Sequence, residues 1–275
     1  MYICNVRGEK TMHKEDSMKI EQILYQHSLS DDSNLIYEPH CHTTCEIYYL
    51  LEGDVECTVE GTVYCPKPHS LLLIAPQKFH STIVLSNRNY HRIRIHFSPD
   101  LLTEEEQKIL LKPFYKENIY YEEIEQYHLK QYFDAIGEAV DLDREVRDIA
   151  FCTRTKSLLT QIYAISSEEI EKEIAPNEDA LKIMEYVKEH LTENMSLEGL
   201  ADRFYISKNH LTNLFKKATG TTVNNYIMFK RIALAQEYIK KGDSLTEAAF
   251  KSGFNDYSSF YRSYKKVCGN APSGR

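Results

Sequence analysis

Two stretches near the C-terminus of this 275-residue chain are versions of one another. Ser196–Gly220 reads SLEGLADRFYISKNHLTNLFKKATG, and Ser244–Gly269 reads SLTEAAFKSGFNDYSSFYRSYKKVCG, about 48 residues further on with a one-residue offset. Each opens on Ser-Leu and passes a pair of small or apolar positions (Leu200-Ala201, Ala248-Ala249). Each then turns at Ile206 or Phe254, and closes on Lys-Lys-x-x-Gly. A segment this short cannot bury an apolar face alone, so the pattern predicts two short helices around a tight turn, occurring twice. The second helix of each unit is anchored by Leu211 and Phe215, or by Phe260 and Tyr264.

The turns carry their own chemistry. Ser207 and Asn255 suit the N-caps of the second helices, and Gly253 suits a turn position with positive φ, where Tyr205 in the first unit does not. Charge follows the repeat. Residues 1–175 hold 18 Lys+Arg against 30 Asp+Glu, residues 176–275 hold 15 against 11, and residues 203–275 hold 13 against 4. A net charge of −8 therefore hides a basic rear end, which points to a nucleic-acid partner for that half alone. With Phe260 and Tyr264 turned inward, the helix from about Asp256 to Lys266 offers Asp256, Tyr257, Ser258, Ser259, Tyr261 and Arg262 to a major groove, and Lys265 and Lys266 to phosphates. Lys208, Asn209, His210, Thr212, Asn213 and Lys216 are the counterparts in the first unit. The segment VNNYIMFKRIALAQEYIKK between the units predicts a long connecting helix, able to hold them about one duplex turn, roughly 34 Å, apart.

These residues resemble the AraC/XylS family of transcription regulators. The matching motifs are FKKATG, KRIALAQEYI, LTEAAFKSGFNDYSSFYRSYKKVCG and APS, within Ser196–Ser273. The resemblance implies a DNA-binding domain of two helix-turn-helix units joined by a long helix. It departs from the family pattern at the end: Pro-Ser usually leads into a short helix with a Tyr-Arg pair, and here Gly274-Arg275 follows.

The front half reads differently. From about Lys19 to Phe97 short β-rich segments alternate with turn residues, and in HRIRIHF the side chains Ile93, Ile95 and Phe97 share one face while Arg92, Arg94 and His96 share the other, as in a half-buried strand. The run PHCHTTCEIYYLLEG, with His40, His42 and Glu46, and the later His80 resemble the two motifs of the cupin superfamily, which implies a small β-barrel. His40, His42, Glu46, Tyr48 and His80 are the expected effector pocket. No cofactor is expected there. His40, His42, Glu46 and His80 form the set that would hold a divalent metal, while Cys41 and Cys45 should point away from it. His69, His91 and His96 read as surface or barrel-edge residues. Beyond Ser98-Pro99, Glu117–Asp141 and Arg144–Glu173 predict a helical hairpin suited to dimerisation.

The expected architecture is therefore α+β in two domains: a low-order tail over 1–18, a cupin-like effector domain over 19–100, a helical hairpin over 101–175, a linker near Ala175–Asp179, and an all-α double helix-turn-helix domain over 176–275. Seven scattered cysteines read as reduced thiols, and the apolar runs Ile47–Leu51 and Leu71–Ala75 are too short to cross a bilayer. The function this implies is a cytoplasmic, homodimeric, non-enzymatic regulator that binds promoter DNA specifically, answers a small-molecule effector such as a sugar, and activates RNA polymerase. The alternative is a metal-dependent cupin enzyme fused to a DNA-binding module.

Overall fold

A computed structural model describes residues 2–4, 10–30, 35–85, 89–122, 124–168, 178–219, 221–268 and 271–272. Among them, the front half is built from β1 (Tyr2–Cys4), β2 (Lys10–Lys19), β3 (Ile23–Ser30), β4 (Ile36–His40), β5 (Cys45–Glu52), β6 (Val55–Val59), β7 (Thr62–Tyr64), β8 (Ser70–Ile74), β9 (His80–Val84), β10 (Tyr90–Phe97) and β11 (Tyr120–Tyr121). They form a larger sheet in the order β1-β2-β3-β10-β5-β8-β11 and a smaller one in the order β4-β9-β6-β7. All the pairings are antiparallel.

β10 runs between β3 and β5, with Arg94 opposite both Gln26 and Tyr48. Its apolar face (Ile93, Ile95, Phe97) is buried, and so is Arg92 on the opposite face. This corrects the half-buried reading: the polar face lines the barrel interior, while the apolar face lies under helices. Alternation marks two faces but does not say which one meets water.

Residues 10–18 are also a correction. Their sequence suggests a low-order tail, yet β2 pairs with β3 from His13–Ser30 to Lys19–Leu24. The main-chain ladder holds this strand, and its exposed side chains at 15–17 explain the missing apolar period.

The helical part departs from a simple hairpin. α1 (Glu104–Leu110) carries a capping box between Thr103 and Glu106, which the charged sequence hid. The helix expected over 117–141 is broken: β11 pairs with β8, a 3-10 turn spans Ile124–Tyr127, His128 takes φ +51°, and among the described residues of this stretch only α2 (Lys130–Glu138) is α-helical. The positive φ at His128 ends any continuous helix there. α3 (Arg144–Glu168) packs along α2 and covers the larger sheet. Tyr49 stacks on Phe133 with centroids 4.5 Å apart, and Tyr25 meets Phe151 edge-on.

The rear half holds α4 (Glu178–Glu189), α5 (Leu197–Arg203), α6 (Lys208–Thr219), α7 (Val223–Lys240), α8 (Leu245–Lys251) and α9 (Tyr257–Cys268). Most of the expected linker lies outside the described residues, and Glu178 and Asp179 already belong to α4. Two small cores result. One joins Ile183, Val187, Leu200, Leu211, Phe215 and Tyr226, and the other joins Ile232, Ala248, Ala249, Phe254 and Phe260. Phe79, from the loop before β9, belongs to the first.

Candidate nucleic-acid interface and effector pocket

Each repeat folds as two helices around a turn. In the first, α5 is capped by Ser196, whose hydroxyl accepts from Gly199 N at 3.0 Å. α6 is capped by Ser207, which accepts from His210 N at 3.2 Å, as expected. Tyr205 nevertheless takes φ +55° and stands 95% exposed, while Gly253 at the matching place has φ +93°. The turn geometry is shared even though only one copy has a residue that favours it.

Leu211 and Phe215 seat α6 on its core and leave Lys208, Asn209, His210, Asn213 and Lys216 exposed, with Thr212 half-buried. Lys208 Nζ also contacts Glu198 at 2.7 Å. Phe260 seats α9 in the same way. The cap of α9 is a correction: it is Asp256, not Asn255. Asp256 accepts from Ser259 N and from Ser259 Oγ, each at 2.8 Å, and an acidic cap is favoured at a helix N-terminus. Ser259 is thus occupied locally, and Tyr257 packs its ring 5.7 Å from that of Phe260, half-buried rather than outward. Ser258, Tyr261, Arg262, Lys265 and Lys266 remain as the outward face.

Inside the barrel, the expected pocket residues do converge, and His96 joins them. His42 Nε2 lies 3.1 Å, His80 Nε2 3.2 Å and His96 Nδ1 3.8 Å from the same Glu46 oxygen. His96 sits directly opposite Glu46 in the β10–β5 register, so pairing rather than spacing brings it in. His69 and His91 stay apart from the cluster, beside Tyr49 and against His27. Cys41 contacts the carbonyl of Phe229, away from the histidines, and Cys41, Cys45, Cys57, Cys65, Cys152 and Cys268 are free thiols.

Hydrogen bonding sets the character of this cluster. His40 Nδ1 donates to Glu38 O and His80 Nδ1 to Lys78 O, each at 2.8 Å, so the Nε2 lone pairs are left toward the cluster. His42 Nε2 faces Glu46, and its Nδ1 has the Thr44 carbonyl at 2.9 Å and the Thr44 hydroxyl, a possible donor, at 3.0 Å. Burial pushes His40 and His96 down to about 4. Glu46 is held well below the usual carboxylate range despite its burial, because His96, His42 and His80 surround it. The ligand atoms of His40, His42 and His80 lie within 4.8 Å of one another, as do those of His42, Glu46 and His96. Nitrogen-rich donors with backbone-fixed tautomers fit a divalent transition metal.

The other end of the same pocket is aromatic and cationic. Arg92 lies between the rings of Tyr37 and Tyr90, at 4.2 Å and 4.3 Å from their centroids, and the Tyr48 hydroxyl meets that of Tyr90 at 3.0 Å. The enclosed cavity is about 10 Å³, room for a single water.

Residues 28–175 match the family of the AraC-like ligand binding domain, and residues 200–274 match a Helix-turn-helix domain. The chain belongs to the AraC/XylS family of transcription regulators. An uncharacterized HTH-type transcriptional regulator of Bacillus subtilis (strain 168), YbfI, is 24% identical over 222 residues, covering 80% of this chain and 79% of its own length. The XylDLEGF operon transcriptional activator of Pseudomonas putida is 32% identical over 96 residues, which is 34% of this chain and 30% of that protein. ToxT of Vibrio cholerae O395 aligns over 96% of this chain and 95% of its own at 16% identity and a TM-score of 0.39.

In this AraC-type chain the ligand-binding and DNA-binding domains meet through α7. Lys230 Nζ reaches Glu60 Oε1 at 2.7 Å and the carbonyl of Gln77 at 2.7 Å, while the Tyr226 hydroxyl donates to Glu60 Oε2 at 3.2 Å. The Gln77 amide contacts Glu237. Phe79 inserts between Tyr226 and Phe229, with 5.3 Å between its centroid and each of theirs. The next residue, His80, is in the pocket. No spacing or composition signal marks Glu60, Gln77 or Lys230, since all three would pass for ordinary surface residues.

Proposed function

We propose that an effector entering the barrel changes the set of His80 and Phe79, and through them the grip on α7, so that α6 and α9 are presented to consecutive major-groove segments of promoter DNA. The observation that carries this is the short run from pocket to linking helix: His80 touches Glu46, and Phe79 beside it is part of the DNA-binding domain's core. α7 has 18 residues and is about 27 Å long, on the scale of one duplex turn.

In this reading α6 reads bases through Asn209, His210 and Asn213, and α9 through Ser258, Tyr261 and Arg262. Lys216, Lys265 and Lys266 hold phosphates. The protein acts in the cytoplasm as a homodimer, with Val146 and Ile149 of α3, 55% and 68% exposed and three residues apart, as the centre of the contact. It carries no enzymatic activity and activates transcription through RNA polymerase, a sense supported by the name of the P. putida relative. Genome-wide binding of the tagged protein, read beside transcript levels in a deletion strain, tests this. Bound promoters whose genes fall silent on deletion are the expected result, and binding spread without regard to promoters would refute it.

A second reading of the pocket floor is favoured by the histidine tautomers. His40, His42 and His80, with Glu46 and His96, would hold a divalent metal, which would supply Lewis acidity or a structural clamp. Metal analysis after purification with and without chelator, and the stability of each form, decides between metal and a shared proton.

A further inference from the structure

We propose that the effector of this regulator is a small monocarboxylate, received by Arg92 and Arg94 at the tyrosine-lined end of the barrel. The inference rests on the reading of this barrel as the effector site and names the chemistry it takes.

Arg92 is 3% exposed, yet among the described residues no carboxylate lies within ion-pair distance of it or of Arg94. The Nε of each is buried with no hydrogen-bond partner. The Tyr37 and Tyr90 faces attract the Arg92 guanidinium and the Tyr37 hydroxyl bonds to it, but neither neutralises its charge. A buried charge left in this state is costly, and an anion is what relieves it.

The donors around the arginines point to the kind of anion. Two guanidiniums and one carboxylate, Glu46, line the pocket, and Glu46 is already engaged by His42, His80 and His96. The guanidiniums of Arg92 and Arg94 are therefore left without an anion of their own. The planar guanidinium fork matches a carboxylate, and the phenols of Tyr37, Tyr48 and Tyr90 add donors and apolar walls for the rest of the molecule. The cavity has room for one water, so the body of the ligand must part the tyrosine rings. A neutral sugar would face the same closure with no charge to offset.

The test uses the full chain and its thermal unfolding at constant ionic strength. The probes are formate, acetate, benzoate and octanoate, each against its amide, with inorganic phosphate and arabinose as further arms. At least one carboxylate is expected to raise Tm saturably while its amide does not, and Arg92→Gln should weaken that response at least about ten-fold. Arg94→Gln gives the same reading if Arg92→Gln fails to fold. An amide acting as well as its acid, an unchanged response in both variants, or a response to phosphate alone overturns the proposal. A shift with arabinose alone overturns it too but keeps the effector pocket. Silence from every probe removes both.

Discussion

Arg262 and Lys266 stand one helical turn apart on the outward face of α9 and should fail differently when removed. Arg262→Ala is expected to cost about 1–3 kcal/mol on a specific site and relax base preference, while Lys266→Ala should weaken all sequences alike. Equal loss on specific and random DNA for Arg262→Ala would sink its base-reading role. The turn residues make a second contrast. A Cβ on Gly253 would lie 2.8 Å from Thr192 Cα and 3.0 Å from the Leu191 carbonyl, so Gly253→Ala should lower stability by more than about 1 kcal/mol. Tyr205→Gly, at φ +55° in open solvent, should hold or raise the thermal midpoint. In the pocket, His40 and His96 fall from 6.5 to about 4 on folding. The unfolded chain therefore binds more protons between those values, and metal-free protein should be fully stabilised above about pH 6.5 and lose stability as pH falls toward about 4. A flat midpoint across that range would contradict the burial of these rings. Sequence spacing found His40, His42, Glu46 and His80 because a shared motif marks them. His96 and Arg92 escaped because which face of β10 points inward depends on what covers the other face.

At the scale of elements, what was legible followed from local chemistry. The repeat, its cap at Ser207, and its anchors at Leu211, Phe215 and Phe260 all fold as the pattern implies. β2 was not legible, since main-chain pairing to β3 holds it and leaves no apolar trace. The break before α2 was hidden as well, because the Glu-rich run over 117–129 has helical composition while β8 recruits Tyr120 and Tyr121 into a sheet. α3 follows the expected helix from Arg144 to Glu168, residues 169–173 of that expectation lying outside the described residues, and its uncovered Val146 and Ile149 give the dimer proposal its handle. Ile149→Glu should leave the fold intact and shift the protein to monomer in light scattering. A dimer unchanged by that substitution places the contact elsewhere.

Across the whole molecule, the two domains share Phe79 and a buried ion pair. Lys230 and Glu60 are 8% and 18% exposed, and Lys230, despite the burial of both, holds the Glu60 carboxyl below its usual range. Removing one partner strands the other, so Lys230→Ala should cost about 3–5 kcal/mol at the domain contact. Calorimetry should show one transition for the wild type and two for Lys230→Ala. A single unsplit transition in Lys230→Ala would mean that this pair does not hold the domains together. The most direct test of the regulator itself is titration of its best-bound promoter fragment against random DNA of equal length at several salt concentrations. Tight binding confined to the promoter fragment, with an affinity that falls steeply as salt rises, is expected if both α6 and α9 engage the duplex. Binding to the promoter no tighter than to random DNA would contradict the reading of the repeat as a sequence-specific DNA-binding domain.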